Sequence, residues 1–489
     1  MNGCVDVLER RGVVLVPLLI LAAALAIHAP RLNRPFGPDI ATAAASYQIL
    51  FARHWDEAGF FELRGVPCVG PPAGTVIERH PYLHHPVLSY WLAYGLRSLL
   101  GWHEWVFRLL PFLCTLTSAL LLGAITRRVL GNLAALLAGW IFLLTPMVFS
   151  YGDMPNPEAM VLATLLGGWL LHERIREQPT PSRKCAFFAV AFAGMLVDWQ
   201  AYFLVLALLA GEALRPAGTR RWREALGLIP LSVVAVVALG CWASCALGSF
   251  DALVQHFSEV ARTPFSAGAV SFSEFVLMQG RTLLATMGWP LVGSAVVVLV
   301  SAALGKAAAL RLSAAAVMLV PALVSVLLFR RPAFDHPFWW MPATGFFALS
   351  GAWLITRLLE TRPLFGVLAT VVLMGSVSLV ALAQQRPLGR PEQPYRDIAT
   401  LITRFSQPDD IIITPEAFGP ALFYTERRLY ENQRSIESIS GICQASAPRR
   451  VHVVMLLTTA LTQRELVTWL DEHGQRTPHP GVLHWTLQR

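Results

Sequence analysis

The chain has 489 residues, of which 55% are hydrophobic and only 14% charged, and it carries a formal net charge of +8. Soluble domains carry about a quarter charged residues, so this composition excludes an ordinary soluble enzyme and points to a polytopic membrane protein. Arginine clusters in cytoplasmic loops account for the positive balance without a nucleic-acid partner. The seven cysteines, Cys4, Cys68, Cys114, Cys185, Cys241, Cys245 and Cys443, are scattered and sit mostly in or beside apolar runs. They have neither metal-ligand spacing nor the density of a disulfide framework.

Residues 1–29 place Arg10 and Arg11 ahead of an apolar run, as a signal peptide would. The small-residue cleavage pattern is poor and further spans follow, so an uncleaved anchor is expected. Apolar runs long enough to cross a bilayer lie near 13–29, 106–126, 132–150, 156–173, 184–198, 199–213, 226–247, 286–304, 311–329, 337–357 and 363–383. The two short runs meeting at Asp198 also read as one long helix bent at Trp199. The run 87–100, with Arg97 near its end, is too short for a comfortable span and is read as an interfacial helix.

The distribution of basic residues decides between these readings. With the N-terminus in the cytoplasm and 87–100 interfacial, the cytoplasmic loops contain Arg127, Arg128, Arg174, Arg176, Arg183, Lys184, Arg215, Arg220, Arg221, Arg223, Lys306, Arg311, Arg357 and Arg362. Letting 87–100 span would move these clusters outside. About eleven spans are therefore expected, with Arg330 and Arg331 as exceptions on the outer side. The same topology puts Asp39, His84, His85, Asp153, Asp198, Asp335 and His336 on the outer side near helix ends, while span interiors hold few ionisable groups. Charge kept at one membrane interface marks a functional site there.

A division into domains follows from this. Residues 1–385 are expected to form a transmembrane domain that carries this site, within which 30–105 is a long first outer loop with interfacial helices. An outer loop near 248–287 carries Phe257, Phe265, Phe272 and Phe275, and reads equally as a groove wall or a structural cap. After the linker Arg386-Pro387-Leu388-Gly389-Arg390-Pro391, residues 386–489 read as a small extracytoplasmic α/β domain. Its expected elements are a helix over 395–406, strands over 410–414 and 451–457, and a helix over 462–473 with Thr462 as N-cap and Glu465 completing a capping box.

Each outer polar residue has a plain structural reading beside a chemical one. Asp39 follows Pro38 and precedes a helical pattern, so it reads equally as an N-cap. Asn156 with Pro157 at N1 makes the better cap of the next helix, which leaves Asp153 for other work. Asp198 reads first as a turn residue. His84 and His85 are adjacent and point apart, which disfavours a metal held by these two alone. Arg108 is the one cation inside a span; it either snorkels to water or meets an anion such as a lipid phosphate.

In chain order these motifs resemble the GT-C superfamily of glycosyltransferases, specifically the dolichyl-phosphate-mannose-protein mannosyltransferase and aminoarabinose-transferase-like group. The resemblance rests on Asp39 after the first span, His85-Pro86-Val87-Leu88, Glu104-Trp105-Val106-Phe107-Arg108-Leu109-Leu110-Pro111, Asp153, Met195-Leu196-Val197-Asp198-Trp199 and the aromatic-rich Phe334-Asp335-His336-Pro337-Phe338-Trp339-Trp340-Met341-Pro342. It covers most of residues 1–385. Three positions depart from the pattern: Ile40 stands where the family has Glu, Val87 replaces a second Pro, and Asp198 occupies a place where a family Lys can occur.

The resemblance implies transfer of a sugar from a polyprenyl-phosphate carrier to an acceptor hydroxyl, with inversion, at the outer face of a bacterial inner membrane. On that basis Asp39 would be the base and Asp153 a catalytic partner binding sugar or acceptor. His84, His85, Arg108, Asp198, Arg331 and His336 would bind substrate. No motif fixes a cofactor, and a divalent metal is left open. A lipid, glycan or protein would be the acceptor. The rivals are a transporter or lipid flippase, against which the bare span interiors and absence of repeats argue, and a non-catalytic membrane assembly protein.

Overall fold

The computed structural model describes residues 2–36, 40–69, 80–215, 217–255, 271–303, 313–330, 336–385, 394–415, 427–430, 433–445, 449–479 and 482–487, together with 258, 333, 421 and 423–425. The chain divides into two compact units, Met1–Arg34 with His84–Gly389, and Pro35–Leu83 with Arg390–Arg489.

The first unit is helical throughout. Every apolar run of the sequence has become helix: Asn2–His28, Glu104–Leu130, Asn132–Leu144 continued by Pro146–Tyr151, Glu158–Glu177, Pro181–Val197, Leu204–Ala213, Leu228–Leu247, Trp289–Ala303, Ser313–Leu328, Thr344–Thr361 and Pro363–Gln385. The run 87–100 forms the 13-residue helix Leu88–Leu100. The two runs meeting at Asp198 are separate helices, as the count of eleven spans had them, and not one helix bent at Trp199. Asp198 is fully extended, and the 3-10 turn Trp199–Phe203 separates the two helices.

Length and apolarity alone support fewer than the eleven expected spans. Among the described residues, Gly12–Arg31, Glu104–Leu130, Trp222–Leu247 and Pro363–Ala383 are long and apolar enough to cross a bilayer, and Phe272–Met287 with Trp289–Ala302 would make a fifth span bent by 110°. Of the other runs, Asn132–Leu144, Trp199–Ala213 and Met318–Leu328 are apolar but shorter than 18 residues. Of the outer loop's phenylalanines, Phe257 and Phe265 lie outside the described residues, whereas Phe272 and Phe275 belong to a helix opened by a Ser271–Glu274 capping box. The chain is an integral membrane protein.

Close packing fixes the first helix in this bundle. Ile20 is 1% exposed and sits between Gly123 and Gly139. A Cβ at either glycine would lie 2.7 or 2.6 Å from the Ile20 side chain, so only hydrogen lets the three helices meet. That contact places the end of the first helix, and hence Arg31, against the Asn132–Tyr151 segment.

The second unit joins residues 35–83 to the C-terminal sheet. Helix Ile40–Ala58 packs Trp55 inward, and its indole donates to the Val66 carbonyl at 2.9 Å. A short pair, β1 (Cys68–Val69) and β2 (His80–Pro81), is antiparallel. The Phe36 amide donates to the Tyr424 hydroxyl at 2.8 Å, and Phe36 packs edge-on against Phe423. The remaining strands are β3 (Ile411–Ile413), β4 (Arg428–Tyr430), β5 (Val451–Leu456), β6 (Gly474–His479) and β7 (Val482–Leu487), in the order β4-β3-β5-β7-β6. The central three pairings, β4 with β3 and β3 with β5 in parallel and β5 with β7 antiparallel, bury Ile411, Ile413, Val453 and Trp485 completely. The expected Thr462–Glu465 capping box is absent. Thr462 ends the helix Leu457–Thr462 and bonds back to Thr459, and the next helix begins at Arg464.

A row of histidines runs across this sheet. His452 Nε2 meets Asp410 Oδ2 at 3.1 Å, and His452 Nδ1 meets His484 Nε2 at 3.0 Å. Phe405 stacks on His484 with ring centroids 3.8 Å apart. Burial, reinforced by His452 and His479, pushes the His484 pKa down to about 4. Burial also lowers that of His452, outweighing the opposing Asp410 carboxylate. Both imidazoles are therefore neutral in the folded domain at a pH where the unfolded chain, titrating near 6.5, already takes up protons. Their contribution is complete above that pH and is lost as pH falls toward the folded values. Hydrogen exchange of β5 and β7 amides in the full-length protein, corrected for intrinsic rates, should show opening becoming easier between about pH 7 and 4.5. A flat profile would contradict this.

Candidate active site

Two groups of buried polar residues in the first unit lie at helix ends. Arg31 follows Pro30 directly beyond the first helix and is 4% exposed. Its guanidinium lies 4.5 Å from the Phe149 ring centroid, donates to the Phe149 carbonyl and reaches Asp153 Oδ1 at 3.4 Å. Arg108, near the start of Glu104–Leu130, comes within 3.9 Å of Asp153 Oδ2. Two cations thus converge on one carboxylate, with all three side chains less than a tenth exposed. Arg108 does not snorkel to solvent.

Asp153 is held there by backbone geometry. Thr115 donates to the Gly152 carbonyl at 2.6 Å. A Cβ on Gly152 would lie 2.5 Å from the Val148 carbonyl oxygen, so glycine is required for the chain to turn this tightly. Asn156 is not the cap that the sequence implied. Helix Glu158–Glu177 has Pro157 in the N-cap position with no side-chain cap, and Asn156 instead hydrogen-bonds the Glu158 carboxylate.

A second group centres on Asp198. Its Oδ2 pairs with His85 Nδ1 at 2.7 Å, and its Oδ1 accepts the Gln200 amide at 2.9 Å. The turn reading of Asp198 is thereby realised, and the same carboxylate also fixes an imidazole 113 residues away in sequence. The Trp199 indole donates to the His84 backbone carbonyl at 2.7 Å, which locks the histidine pair against this turn through the main chain. Gln200 reaches the Trp339 carbonyl at 3.4 Å, tying in the 3-10 turn Pro337–Ala343. Glu158 is 5% exposed and lies close to Asp198.

The structure therefore brings Asp153 to Arg108, and His85 to Asp198. His336 is exposed, and its ring stacks on Phe338 5.1 Å away. Asp39 and Arg331 lie outside the described residues, as does Asp335. Sequence reasoning missed Arg31 and Glu158. Arg31 looked like an end-of-span charge, although its place after Pro30 was a usable signal. Glu158 was hidden in an apparent helix start. Among the described residues no group of three or more His, Cys, Asp or Glu is arranged to hold a metal ion.

Removing the shared carboxylate leaves two guanidiniums buried without it. Asp153→Ala should destabilise the detergent-solubilised protein by about 3–5 kcal/mol in equilibrium unfolding, the range for breaking a buried ion pair. A loss below about 1 kcal/mol, typical of an exposed pair, would show that the cluster is not an anchor.

Comparison with known proteins agrees with this geometry. Residues 84–244 match the dolichyl-phosphate-mannose-protein mannosyltransferase family. A search of curated proteins found no match. The crystal structure of ArnT from Cupriavidus metallidurans bound to undecaprenyl phosphate superimposes with a TM-score of 0.61 at 15% identity, covering 99% of this chain and 98% of that one. The apo form of the same protein gives 0.59 at 16% identity with the same coverage. The Archaeoglobus fulgidus oligosaccharyltransferase tethered to an acceptor peptide gives 0.58 at 10% identity, covering 99% of this chain and 75% of that one. At these identities the structural likeness speaks for the fold, while the family match speaks for the sequence. The chain thus shares the fold of ArnT and of the oligosaccharyltransferase, and its residues 84–244 are similar to the mannosyltransferase family.

Proposed function

We propose that the protein moves a sugar from a polyprenyl-phosphate carrier to an acceptor hydroxyl at the outer face of a bacterial inner membrane, with inversion at the anomeric carbon. The observation that carries this reading is the convergence of Arg31 and Arg108 on Asp153 at one end of the bundle. A GT-C protein of the same fold holds undecaprenyl phosphate, which supports a carrier of that chemistry.

In this reading the acceptor oxygen attacks the anomeric carbon, the bond from that carbon to the carrier phosphate breaks, and the phosphate leaves as an anion. A phosphate is a weak base and needs no proton to leave. The acceptor hydroxyl must lose one, and Asp39 would take it. The guanidiniums of Arg31 and Arg108 would stabilise charge developing on the phosphate, as preorganised cations do in a site shielded from water. Asp153 would orient both arginines, which changes its expected part from contacting sugar to positioning the cations. The Asp198–His85 pair would order the loop that carries His84 and His85 against the bundle. His336 and Arg331 remain proposed contacts of the donor.

The C-terminal domain would stand on the same outer side, where the positive-inside rule places it. The acceptor would be a lipid, glycan or protein hydroxyl.

The test is transfer by the purified protein in proteoliposomes, with a radiolabelled polyprenyl-phosphate sugar and an envelope extract as acceptor source. Asp39→Asn should lower the rate by about 10²–10⁴-fold, the usual contribution of a general base, with expression and thermal stability retained. Transfer at the wild-type rate would reject Asp39 as the base.

A further inference from the structure

Glu158 has no part in the chemistry described so far, yet its surroundings are costly to maintain. It is 5% exposed, and its Oε2 has no hydrogen-bond partner among the described residues. Asn156 hydrogen-bonds its carboxyl group, and Asp198 is a close neighbour. No arginine or lysine is paired with it among the described residues.

Gln200 is in the same position. It is 4% exposed, its Nε2 is turned to the Trp339 carbonyl, and its Oε1 has no partner among the described residues. Gln200 and Glu158 both adjoin Asp198, whose own oxygens are taken by His85 and the Gln200 amide. Two buried oxygens at one end of the bundle thus await donors. Leaving such an atom unsatisfied costs about 1–3 kcal/mol, and native proteins rarely keep them without a use.

The chemistry of a suitable ligand follows. It must present O–H or N–H donors, because the Gln200 amide oxygen only accepts and a carboxyl oxygen has lone pairs to fill. A phosphate, which carries only acceptors, cannot satisfy the amide oxygen and is drawn toward Arg31 and Arg108. A polyol satisfies both requirements. We infer that Glu158, with Gln200 beside it, is a hydroxyl-recognition subsite for the sugar of the lipid-linked donor. This rests on the donor reading above and adds an orientation to it. The phosphate lies toward the arginines, the sugar hydroxyls toward the carboxylates, and the anomeric carbon between them. Glu158 then touches substrate, whereas Asp198 and His85 position the turn that carries Gln200.

The experiment compares lipids with and without a sugar on full-length protein in nanodiscs. The probes are undecaprenyl phosphate, undecaprenyl phosphomannose and undecaprenyl phosphoarabinose. Wild-type protein should bind at least one of the sugar lipids more tightly than undecaprenyl phosphate. Glu158→Gln should weaken that sugar lipid by about tenfold, because an amide nitrogen then stands where an acceptor oxygen was, and leave undecaprenyl phosphate unchanged. Glu158→Asp, which keeps the carboxyl group on a shorter arm, should recover part of the loss. Thermal unfolding of each variant monitors the fold. If Glu158→Gln weakens all three lipids equally, or none, the subsite is overturned while the donor reading stands. The subsite is likewise overturned if no sugar improves wild-type binding. Wild-type protein that fails to bind undecaprenyl phosphate overturns the donor reading, and the subsite with it.

Discussion

The buried meeting of Arg31 and Arg108 on Asp153 is the constraint from which this end of the helical bundle takes its shape. Taking three charged groups out of water costs several kcal/mol per ion, and only mutual attraction and hydrogen bonds offset it. Each member comes from a different part of the chain: the end of the first helix, the start of Glu104–Leu130, and the turn after Tyr151. Bringing them together demands that these helix ends stop at one level. The close seating of Ile20 between Gly123 and Gly139 supplies the packing that makes this level reproducible.

Charge at the other end of the bundle is arranged for a different purpose. Glu212, 1% exposed, accepts from Arg176 at 2.5 Å and from the Arg221 amide at 2.6 Å, while Arg215 bonds Glu173. These contacts clasp the ends of Glu158–Glu177 and Leu204–Ala213 together, with Arg176 reaching on to the Thr219 carbonyl. Arginines that sequence analysis assigns to cytoplasmic loops thus also close the bundle. At the end where Asp153 and Asp198 lie, two arginines gather on one carboxylate while Glu158 and Gln200 lie close to the other, the arrangement that a ligand with a charged end and a hydroxylated end would need.

Much of the fold was legible because bilayer crossing and helix formation both follow from runs of apolar residues. The break at Asp198 was visible for the same reason, since one carboxylate interrupts an apolar stretch. Pairings were less visible. His85 and Asp198 could be assigned to one side of the membrane, but nothing local joins residues 113 apart. Arg31 was passed over because a cation at a span end usually reports topology. Glu158 was passed over because an Asn-Pro-Glu sequence reads as a helix start, and the structure gives Asn156 to the Glu158 side chain instead. The hairpin β6–β7 escaped notice because the exposed strand Gly474–His479 lacks apolar alternation. The false capping box at Thr462 shows the opposite failure, a local pattern overruled by a helix that had already begun at Leu457.

The account stands on a phosphate being met by the paired arginines. Equilibrium binding of undecaprenyl phosphate to the full-length protein in nanodiscs, compared with Arg108→Gln, tests this most directly. The substitution keeps a hydrogen-bonding side chain near Asp153 while removing the guanidinium charge. Loss of affinity by about tenfold or more, with unfolding temperature maintained, is the predicted result, in line with losing a charge-assisted bond. Unchanged affinity would contradict it and detach the arginine pair from the lipid phosphate.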